Sequence, residues 1–245
     1  MKTLPYLREL RIKDRAAFEE ARYPFDIPAV RAIEDVRFAE HVTILVGENG
    51  SGKSTLLEAI AVAMGFNPEG GSSAFQFETR ASHSPLHEAL RPIRSALPPK
   101  DGFFLRAESF YNVATNIEEL GRGLLESYGG VSLHEQSHGE AFLALFLHRF
   151  RGEGLYLLDE PESALSPSRQ LALLVRMHDL AKSASQLILA THSPLLMAYP
   201  GARIYHLDEA GLREVAYEDT EHFRVTRAFL DDRETMLGEL FSDEA

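Results

Sequence analysis

The sequence contains no cysteine. Structural disulfides, cysteine nucleophiles and thiolate metal sites are therefore excluded. No apolar run approaches the roughly 20 residues that a membrane-spanning helix requires. The N-terminal segment MKTLPYLRELRIKDR also lacks an apolar core of signal-peptide length. We therefore expect a cytoplasmic protein that has no membrane segment.

Positive charge is also scarce. Lysine and arginine number 25 against 37 aspartate and glutamate residues, which gives a formal net charge of -12. Broad binding to nucleic acid needs clustered cations that neutralise phosphates, so this balance argues against it. One local basic group lies near the start and is interpreted as a solvated strand edge and loop. It consists of Lys2, Arg8, Arg11, Lys13 and Arg15.

Strand and helix patterns alternate along the 245 residues. This alternation predicts an α/β fold with helices on a parallel sheet, and the length fits a single domain, 1–245. The stretch 67–135 is interpreted as an inserted subdomain of loops and short helices, because its first part is rich in Gly, Ser and Pro. The predicted strands are 6–12, 42–46, 102–105, 155–158, 186–190, 202–207 and 212–217, and the predicted helices are 54–64, 140–150, 168–180 and an acidic segment from about 221.

A glycine-rich sequence, GENGSGKS, joins a predicted strand to a predicted helix and fits the pattern G-x-x-x-x-G-K-[ST]. Glycines let backbone N–H groups approach phosphate oxygens, and the following helix points its N-terminus at the anion. Lys53 supplies a positive charge for the β- and γ-phosphates, and Ser54 supplies a hydroxyl for Mg²⁺. The pattern predicts a P-loop NTPase that binds ATP and Mg²⁺ through Gly47, Glu48, Asn49, Gly50, Ser51, Gly52, Lys53, Ser54 and Thr55.

Two carboxylates, Asp159 and Glu160, end the predicted strand 155–158. Two acids at the end of a buried strand are costly unless they coordinate something. Asp159 is suited to hold Mg²⁺ together with Ser54. Glu160 is suited to polarise the attacking water as a general base, a role worth roughly 10²- to 10⁴-fold in rate. The alternative is an exposed acidic turn, which the phosphate loop upstream disfavours.

Two further motifs complete the set. His192 follows the predicted strand QLILA, so it lies at the ligand-binding edge of a parallel sheet, where we expect it to hydrogen-bond the γ-phosphate. Ser137 and Gly139 precede an apolar helix and form an anion site at its start. The phosphate loop already serves the nucleotide of the same chain. This second site therefore makes sense if it faces a nucleotide held by another subunit.

The four motifs GENGSGKS, SHGE, LYLLDE and THS stand in this order along the chain. Together they resemble the ABC ATPase superfamily over nearly the whole chain. GENGSGKSTLLEAIA and DEPESAL are similar to small stand-alone ATPases related to the SMC, Rad50 and RecF group. The resemblance implies an ABC-type ATPase core with a mixed sheet, and an ATP-dependent homodimer that encloses two nucleotides. Each ATP would contact Lys53 and Ser54 of one subunit and Ser137 and Gly139 of the other.

The sequence departs from the superfamily pattern at two places. The signature usually reads S-G-G-[EQ], and His138 replaces the first glycine. In transporter ATPases the run after the acidic pair usually ends in Leu-Asp, whereas here it ends in Leu165 and Ser166. These departures affect the exact contact to the γ-phosphate and the contact between subunits.

Three residues outside the motifs are also candidates. Gln76 is a candidate magnesium-sensing glutamine, although it follows the phosphate loop closely. Tyr23 or Phe25 is a candidate for stacking on adenine, and core packing is the alternative for both.

Three functions remain open. The first is an ATP-driven switch that acts on DNA or a partner protein, in genome maintenance or phage defence. Too few residues separate Ser54 from Ser137 for a long coiled-coil arm. The second is the energising subunit of a membrane transporter. The third is a nucleotide sensor with negligible turnover that gates an effector such as a nuclease, and the intact Glu160 argues against it. A kinase would not need SHGE or the acidic pair. We favour the first.

Overall fold

The computed structural model describes residues 5–19, 22–39, 41–72, 84–107 and 137–242, together with residues 115, 130 and 132. The strands among them are β1 (Leu7–Ile12), β2 (Val36–Arg37), β3 (Val42–Val46), β4 (Gly71–Ser72), β5 (Leu90–Arg94), β6 (Asp101–Arg106), β7 (Gly154–Asp159), β8 (Gln186–Ala190), β9 (Arg203–Asp208) and β10 (Gly211–Val215). They form a sheet of seven strands in the order β10-β9-β3-β8-β7-β6-β4 and a sheet of three in the order β2-β1-β5.

The α-helices are α1 (Pro28–Arg31), α2 (Lys53–Met64), α3 (His138–Ala144), α4 (Pro167–Lys182), α5 (Pro194–Met197), α6 (Glu221–Asp231) and α7 (Arg233–Phe241). Helices α2, α3 and α4 pack on the two faces of the larger sheet. Short 3-10 helices lie at Ala16–Glu19, Pro85–Ala89 and Tyr217–Asp219, and α3 continues as a π-helix over Leu145–Arg149. Among the described residues, every helix is too short or too polar to span a lipid bilayer.

Parallel strands form the centre of the larger sheet. β3, β7 and β8 read VTILV, GLYLLD and QLILA, and every residue in them is buried. Strands covered on both faces read as continuous apolar runs, and alternate residues point to opposite faces. Ile44 accordingly packs with the cluster under α3 and α4, and Leu45 packs with the cluster under α2. The outermost strands β10 and β4 run antiparallel to their neighbours. The predicted α/β fold class with a mixed sheet is therefore confirmed.

The smaller sheet differs from the sequence expectation. The first part of the stretch 67–135 is predicted to consist of loops and short helices, yet β5 pairs with β1 along most of its length, and β4 joins the edge of the larger sheet. The Pro92 ring removes one N–H donor, which an edge strand such as β5 tolerates. This pairing joins segments about 80 residues apart, and local patterns do not report such contacts. Most of the predicted insertion 67–135 lies outside the described residues.

Candidate functional site

The carboxyl ends of β3, β7 and β8 lie side by side in the larger sheet. Leu45 is paired with Ala190, and Ala190 is paired with Asp159. Ligands bind at this edge of open α/β sheets. The phosphate loop after β3, the acidic pair at the end of β7 and the Thr191–His192 pair after β8 therefore converge, as the order of the motifs predicts.

Close packing explains the glycines of the phosphate loop. Gly47 has a φ of 151°, and a Cβ at this position would lie 2.4 Å from the carbonyl oxygen of Leu207. Gly52 has a φ of 97° and caps the N-terminus of α2 in a left-handed conformation. Residues with a side chain rarely adopt these backbone angles, so glycine is needed at both ends of the turn. The turn leads directly into α2, whose first N–H groups are free to bind an anion.

Lys53 lies inside this turn and is only 4% exposed. Its Nζ donates hydrogen bonds to the carbonyl oxygens of Gly47, at 2.9 Å, and Glu48, at 2.7 Å. Burial lowers the pKa of Lys53, while the carboxylates of Glu160 and Asp159 oppose this shift. The ammonium group thus pairs with backbone carbonyl oxygens of the loop, and a bound triphosphate would offer it charged oxygens instead.

Ser54 and Asp159 meet although 105 positions separate them in the chain. The Ser54 hydroxyl donates a 2.9 Å hydrogen bond to Oδ1 of Asp159, and Asp159 is 7% exposed. Mg²⁺ is usually held by one or two carboxylates plus substrate phosphates, so a hydroxyl and a carboxylate at the foot of a phosphate cradle fit this ion. The described residues hold no cluster of three or more His, Asp or Glu side chains that could bind a metal without the nucleotide.

Glu160 adopts an unusual backbone conformation. Its φ is +49°, and its backbone N–H donates a 2.9 Å hydrogen bond to the carbonyl oxygen of Ala190. A left-handed conformation in a non-glycine residue costs on the order of 1 kcal/mol and persists where the surroundings enforce it. The Glu160 side chain remains 43% exposed, and its Oε1 lies 3.9 Å from Nε2 of His192. The turn thus directs a solvated carboxylate toward the mouth of the phosphate loop.

His192 is fixed on two sides. Its backbone N–H donates a 2.6 Å hydrogen bond to Oε1 of Glu162, and its Nδ1 lies 3.1 Å from Nε2 of His222. Burial lowers the pKa of His192, and the positive charge of Lys53 lowers it further. The neutral imidazole is therefore favoured at neutral pH, with its Nε2 on the Glu160 side.

The sequence interpretation did not identify Glu162 and His222 as parts of the site. Glu162 lies in the DEPESAL segment, and its short spacing from the acidic pair could have indicated a role. Burial raises the pKa of Glu162, while the hydrogen bond from the backbone of His192 opposes the shift. His222 lies on α6, 30 residues after His192, and no local pattern marks it.

Ser137 and Gly139 begin α3 as expected. Ser137 is the N-cap residue and forms a capping box with Glu140, whose side chain accepts hydrogen bonds from the Ser137 hydroxyl at 2.6 Å and backbone N–H at 3.1 Å. Gly139 is buried, and a Cβ there would lie 2.6 Å from the carbonyl oxygen of Ala164. The start of α3 therefore packs on the segment that follows the acidic pair.

The cleft at the phosphate loop does not include Ser137 or Gly139. It has a volume of about 220 Å³ and is lined by Tyr23, Ile27, Asn49, Gly50, Gly52, Lys53, Ser54, Thr55 and Glu160. Tyr23 is 60% exposed at its mouth, with its hydroxyl 3.3 Å from that of Thr55. Phe25 instead is buried against Phe18. Gln76 lies outside the described residues.

Two family models match the chain. One, described as an AAA domain of a putative AbiEii toxin and type IV TA system, matches residues 114–198. The other, described as an AAA domain, matches residues 27–94. The thiamine import ATP-binding protein of Ruegeria sp. is 31% identical over 175 residues, which cover 61% of this chain and 70% of that protein. The chain belongs to the ABC-type ATPase family. Family membership makes it an ATP-binding protein and points to ATP hydrolysis.

Two other relatives match at lower sequence identity. An uncharacterized ABC transporter ATP-binding protein of Haemophilus influenzae is 29% identical over 69% of this chain and 70% of that protein. The match to a putative ribose/galactose/methyl galactoside import ATP-binding protein of Halalkalibacterium halodurans, 27% identical over 68% of this ABC-type ATPase, spans 36% of the relative. Among solved structures, the SMC head domain of Thermotoga maritima has 15% identity and a TM-score of 0.43, with 86% of this chain and 99% of that chain covered. CbiO1 of Clostridium perfringens has 15% identity and a TM-score of 0.45, with 86% and 92% covered.

Proposed function

We propose that this chain hydrolyses Mg²⁺-bound ATP in an assembly of two copies, and that the resulting opening and closing acts as a switch. The supporting observation is the convergence at one sheet edge of Lys53, the Ser54–Asp159 pair, Glu160 and His192. The proposal treats residues 1–245 as one ATPase domain that includes the insertion 67–135.

Each residue has a role that follows from its position. Lys53 exchanges its two carbonyl partners for oxygens of the β- and γ-phosphates. Ser54 and Asp159 would hold Mg²⁺, which would supply positive charge to stabilise the phosphate oxygens. Glu160 accepts a proton from a water whose oxygen bonds to the γ-phosphorus, while the bond to the β-phosphate oxygen breaks. His192 presents a hydrogen-bond donor to the transferred phosphoryl group.

Completing this cleft requires further hydrogen-bond donors. The described lining around Lys53 contains one positive charge, and phosphoryl transfer requires charge stabilisation on several oxygens. Ser137 and Gly139 offer a helix start with an exposed serine, away from this cleft. A second copy that faces the cleft with its own α3 would complete the site. In a two-fold dimer the same contact forms twice.

Gel filtration of matched variants tests the two-copy site. Glu160→Gln removes the general base but keeps the shape of the side chain, so ATP should accumulate and the protein should elute as a dimer. The double variant Glu160→Gln, Ser137→Arg should bind ATP by calorimetry yet remain a monomer, because the added side chain blocks the facing nucleotide. Lys53→Ala is the control without nucleotide. A Glu160→Gln protein that holds ATP and elutes as a monomer would contradict the proposal.

The biological target in our proposal is a partner protein or DNA, in genome maintenance or phage defence. The match of residues 114–198 to a model named for a putative AbiEii toxin supports this direction. The net charge of -12 favours a protein partner over broad DNA binding. The ATPase rate measured with and without duplex DNA at two salt concentrations tests the DNA branch. A salt-sensitive stimulation would support it, and an unchanged rate would remove it.

A transport role is the second candidate function. It is supported by the 31% identity to the thiamine import ATP-binding protein. As an importer subunit, this chain would use the same cleft and would dock on a membrane partner. Co-purification with a membrane protein encoded beside it, together with an ATPase rate that rises on reconstitution with that protein, would select this function over the first.

A further inference from the structure

Helix α6 places the side chain of His222 against His192. We propose that His222 is a positioning residue that fixes the ring tautomer of His192, so that Nε2 of His192 carries the proton offered to the γ-phosphate. The inference rests on the proposed function, because it assumes that His192 donates to the phosphoryl group.

The contact between the two histidines is specific in geometry. Nδ1 of His192 lies 3.1 Å from Nε2 of His222, and the ring centroids are 5.3 Å apart with an interplanar angle of 53°. Nε2 of His192 and Nδ1 of His222 are buried and have no hydrogen-bond partner among the described residues. Among the described residues, the contact between the two histidines is therefore the one hydrogen bond that either ring makes.

The start of α6 holds His222 in place. Thr220 is 1% exposed and caps the helix, since its hydroxyl accepts a hydrogen bond from the backbone N–H of Phe223 and donates one to the carbonyl oxygen of Tyr217. The rings of Phe223 and Tyr217 pack 4.7 Å apart. Farther along, neither α6 nor α7 has a buried residue. The first turn of α6, with His222 in it, is therefore the anchored part.

Hydrogen-bond complementarity decides the tautomer. A neutral imidazole carries its proton on one nitrogen, and the partner of the other nitrogen determines which one. If Nε2 of His222 donates, Nδ1 of His192 accepts and Nε2 of His192 carries the proton. The reverse arrangement would direct a lone pair of His192 toward Glu160, whose Oε1 lies 3.9 Å away. The carboxylate of Glu160 thus favours the tautomer of His192 with its proton on Nε2, and His222 donates a hydrogen bond to Nδ1 of the same ring.

Burial and the positive charge of Lys53 favour the neutral form of both rings. Burial lowers the pKa of His192 and of His222, and the positive charge of Lys53 adds to both shifts. The carboxylates of Glu160, beside His192, and Glu221, beside His222, oppose them. With one proton on each ring, the position of that proton determines whether His192 meets a phosphate oxygen with N–H or with a lone pair.

Substitution of His222 tests this role. His222→Ala removes the donor, and we expect kcat to fall about 10- to 100-fold, as it does for partners that orient a metal-ligating histidine, with the ATP dissociation constant unchanged. His222→Gln keeps an N–H near the position of Nε2 and should retain most of the activity. Arg224→Ala is the matched control, because Arg224 pairs with Asp219 on the exposed side of the same turn at 2.7 Å and should leave kcat unchanged.

A direct readout is the tautomer itself. In ¹⁵N-histidine NMR spectra, the His192 signals, assigned by their loss in His192→Ala, should show protonated Nε2 in the wild type and in His222→Gln, and a mixture in His222→Ala. An unchanged tautomer and kcat in His222→Ala would overturn the proposal, as would equal losses in His222→Ala and Arg224→Ala. If His192→Ala hydrolyses ATP normally, the assigned role of His192 fails, while the tautomer shift still reports the contact between the rings.

Discussion

Gly139→Ala provides a test in which two known effects have opposite signs. Alanine in place of glycine within a helix normally stabilises it by up to about 1 kcal/mol, and less in the first turn. At Gly139, however, the new Cβ would lie 2.6 Å from the carbonyl oxygen of Ala164 and 2.5 Å from Nη1 of Arg169, where ordinary contact begins at 3.4 Å. Either α3 or the segment that contains Ala164 must move.

The size of the destabilisation by Gly139→Ala depends on which of these atoms can move. Arg169 is flexible, although Glu140 binds it at 3.1 Å. Ala164 contributes backbone, and the next residue, Leu165, is 6% exposed in the core. Overpacking of this kind costs about 1–3 kcal/mol, which exceeds the gain in helix propensity. We expect Gly139→Ala to lower the free energy of unfolding by about 1–2 kcal/mol, or roughly 2–4 °C per kcal/mol in melting temperature.

Gly238→Ala is the matched control. Gly238 lies inside α7, and a Cβ there would meet no atom within 4 Å, so this variant should be stabilised by up to about 1 kcal/mol. Urea unfolding curves of the two variants and the wild type give both differences. The reasoning is refuted if Gly139→Ala raises the unfolding midpoint as Gly238→Ala does. Gly139→Ala should also lose ATPase rate more than ATP affinity, because in the proposed dimer the displaced helix start would face the nucleotide of the second copy.

Three further changes probe the cleft. Lys53→Ala should abolish ATP binding in calorimetry, since it removes the ammonium at the centre of the phosphate loop, and retained affinity would remove that role. Tyr23→Ala should weaken ATP binding about 5- to 150-fold, the equivalent of the roughly 1–3 kcal/mol that stacking between a base and an aromatic ring is worth, whereas Tyr23→Phe should match the wild type; equal affinities of all three proteins would contradict stacking. Burial raises the pKa of Glu162, so ionisation of Glu162 costs folding stability as pH rises from the ordinary glutamate value of about 4.3 through the raised value. Glu162→Gln should therefore be more stable than the wild type at pH 7 and equal to it near pH 4, and urea midpoints that show no such pH dependence would argue against it.

The sequence predicts the parts of the site that depend on order along the chain. Three buried strands, each followed directly by polar residues, are sufficient to place Lys53, Asp159 and His192 at one edge, because parallel strands share the direction of their carboxyl ends. Motif spacing also predicts that α2 and α3 begin at anion-binding turns. These inferences are local, and each involves one element and the turn next to it.

What the sequence did not predict depends on packing between distant segments. β5 becomes a strand because β1 lies beside it, and Phe25 rather than Tyr23 enters the core because Phe18 packs on it. His222 reaches the site because Thr220 caps the first turn of α6 and the rings of Tyr217 and Phe223 pack together there. Single-sequence patterns contain no information on such partners, since side-chain environment decides strand formation and burial as much as residue type does.

The charges of the cleft link the binding of the nucleotide to the binding of Mg²⁺. Asp159, Glu160 and Glu162 are three carboxylates around one ammonium, and all three favour the charged form of Lys53 against its burial. The same three carboxylates would repel a triphosphate that arrives without a cation. Mg²⁺ held by Ser54 and Asp159 would reverse this balance. The acids that keep Lys53 charged are therefore also the reason that the nucleotide and the ion should bind together, with Glu160 left free to act as the base.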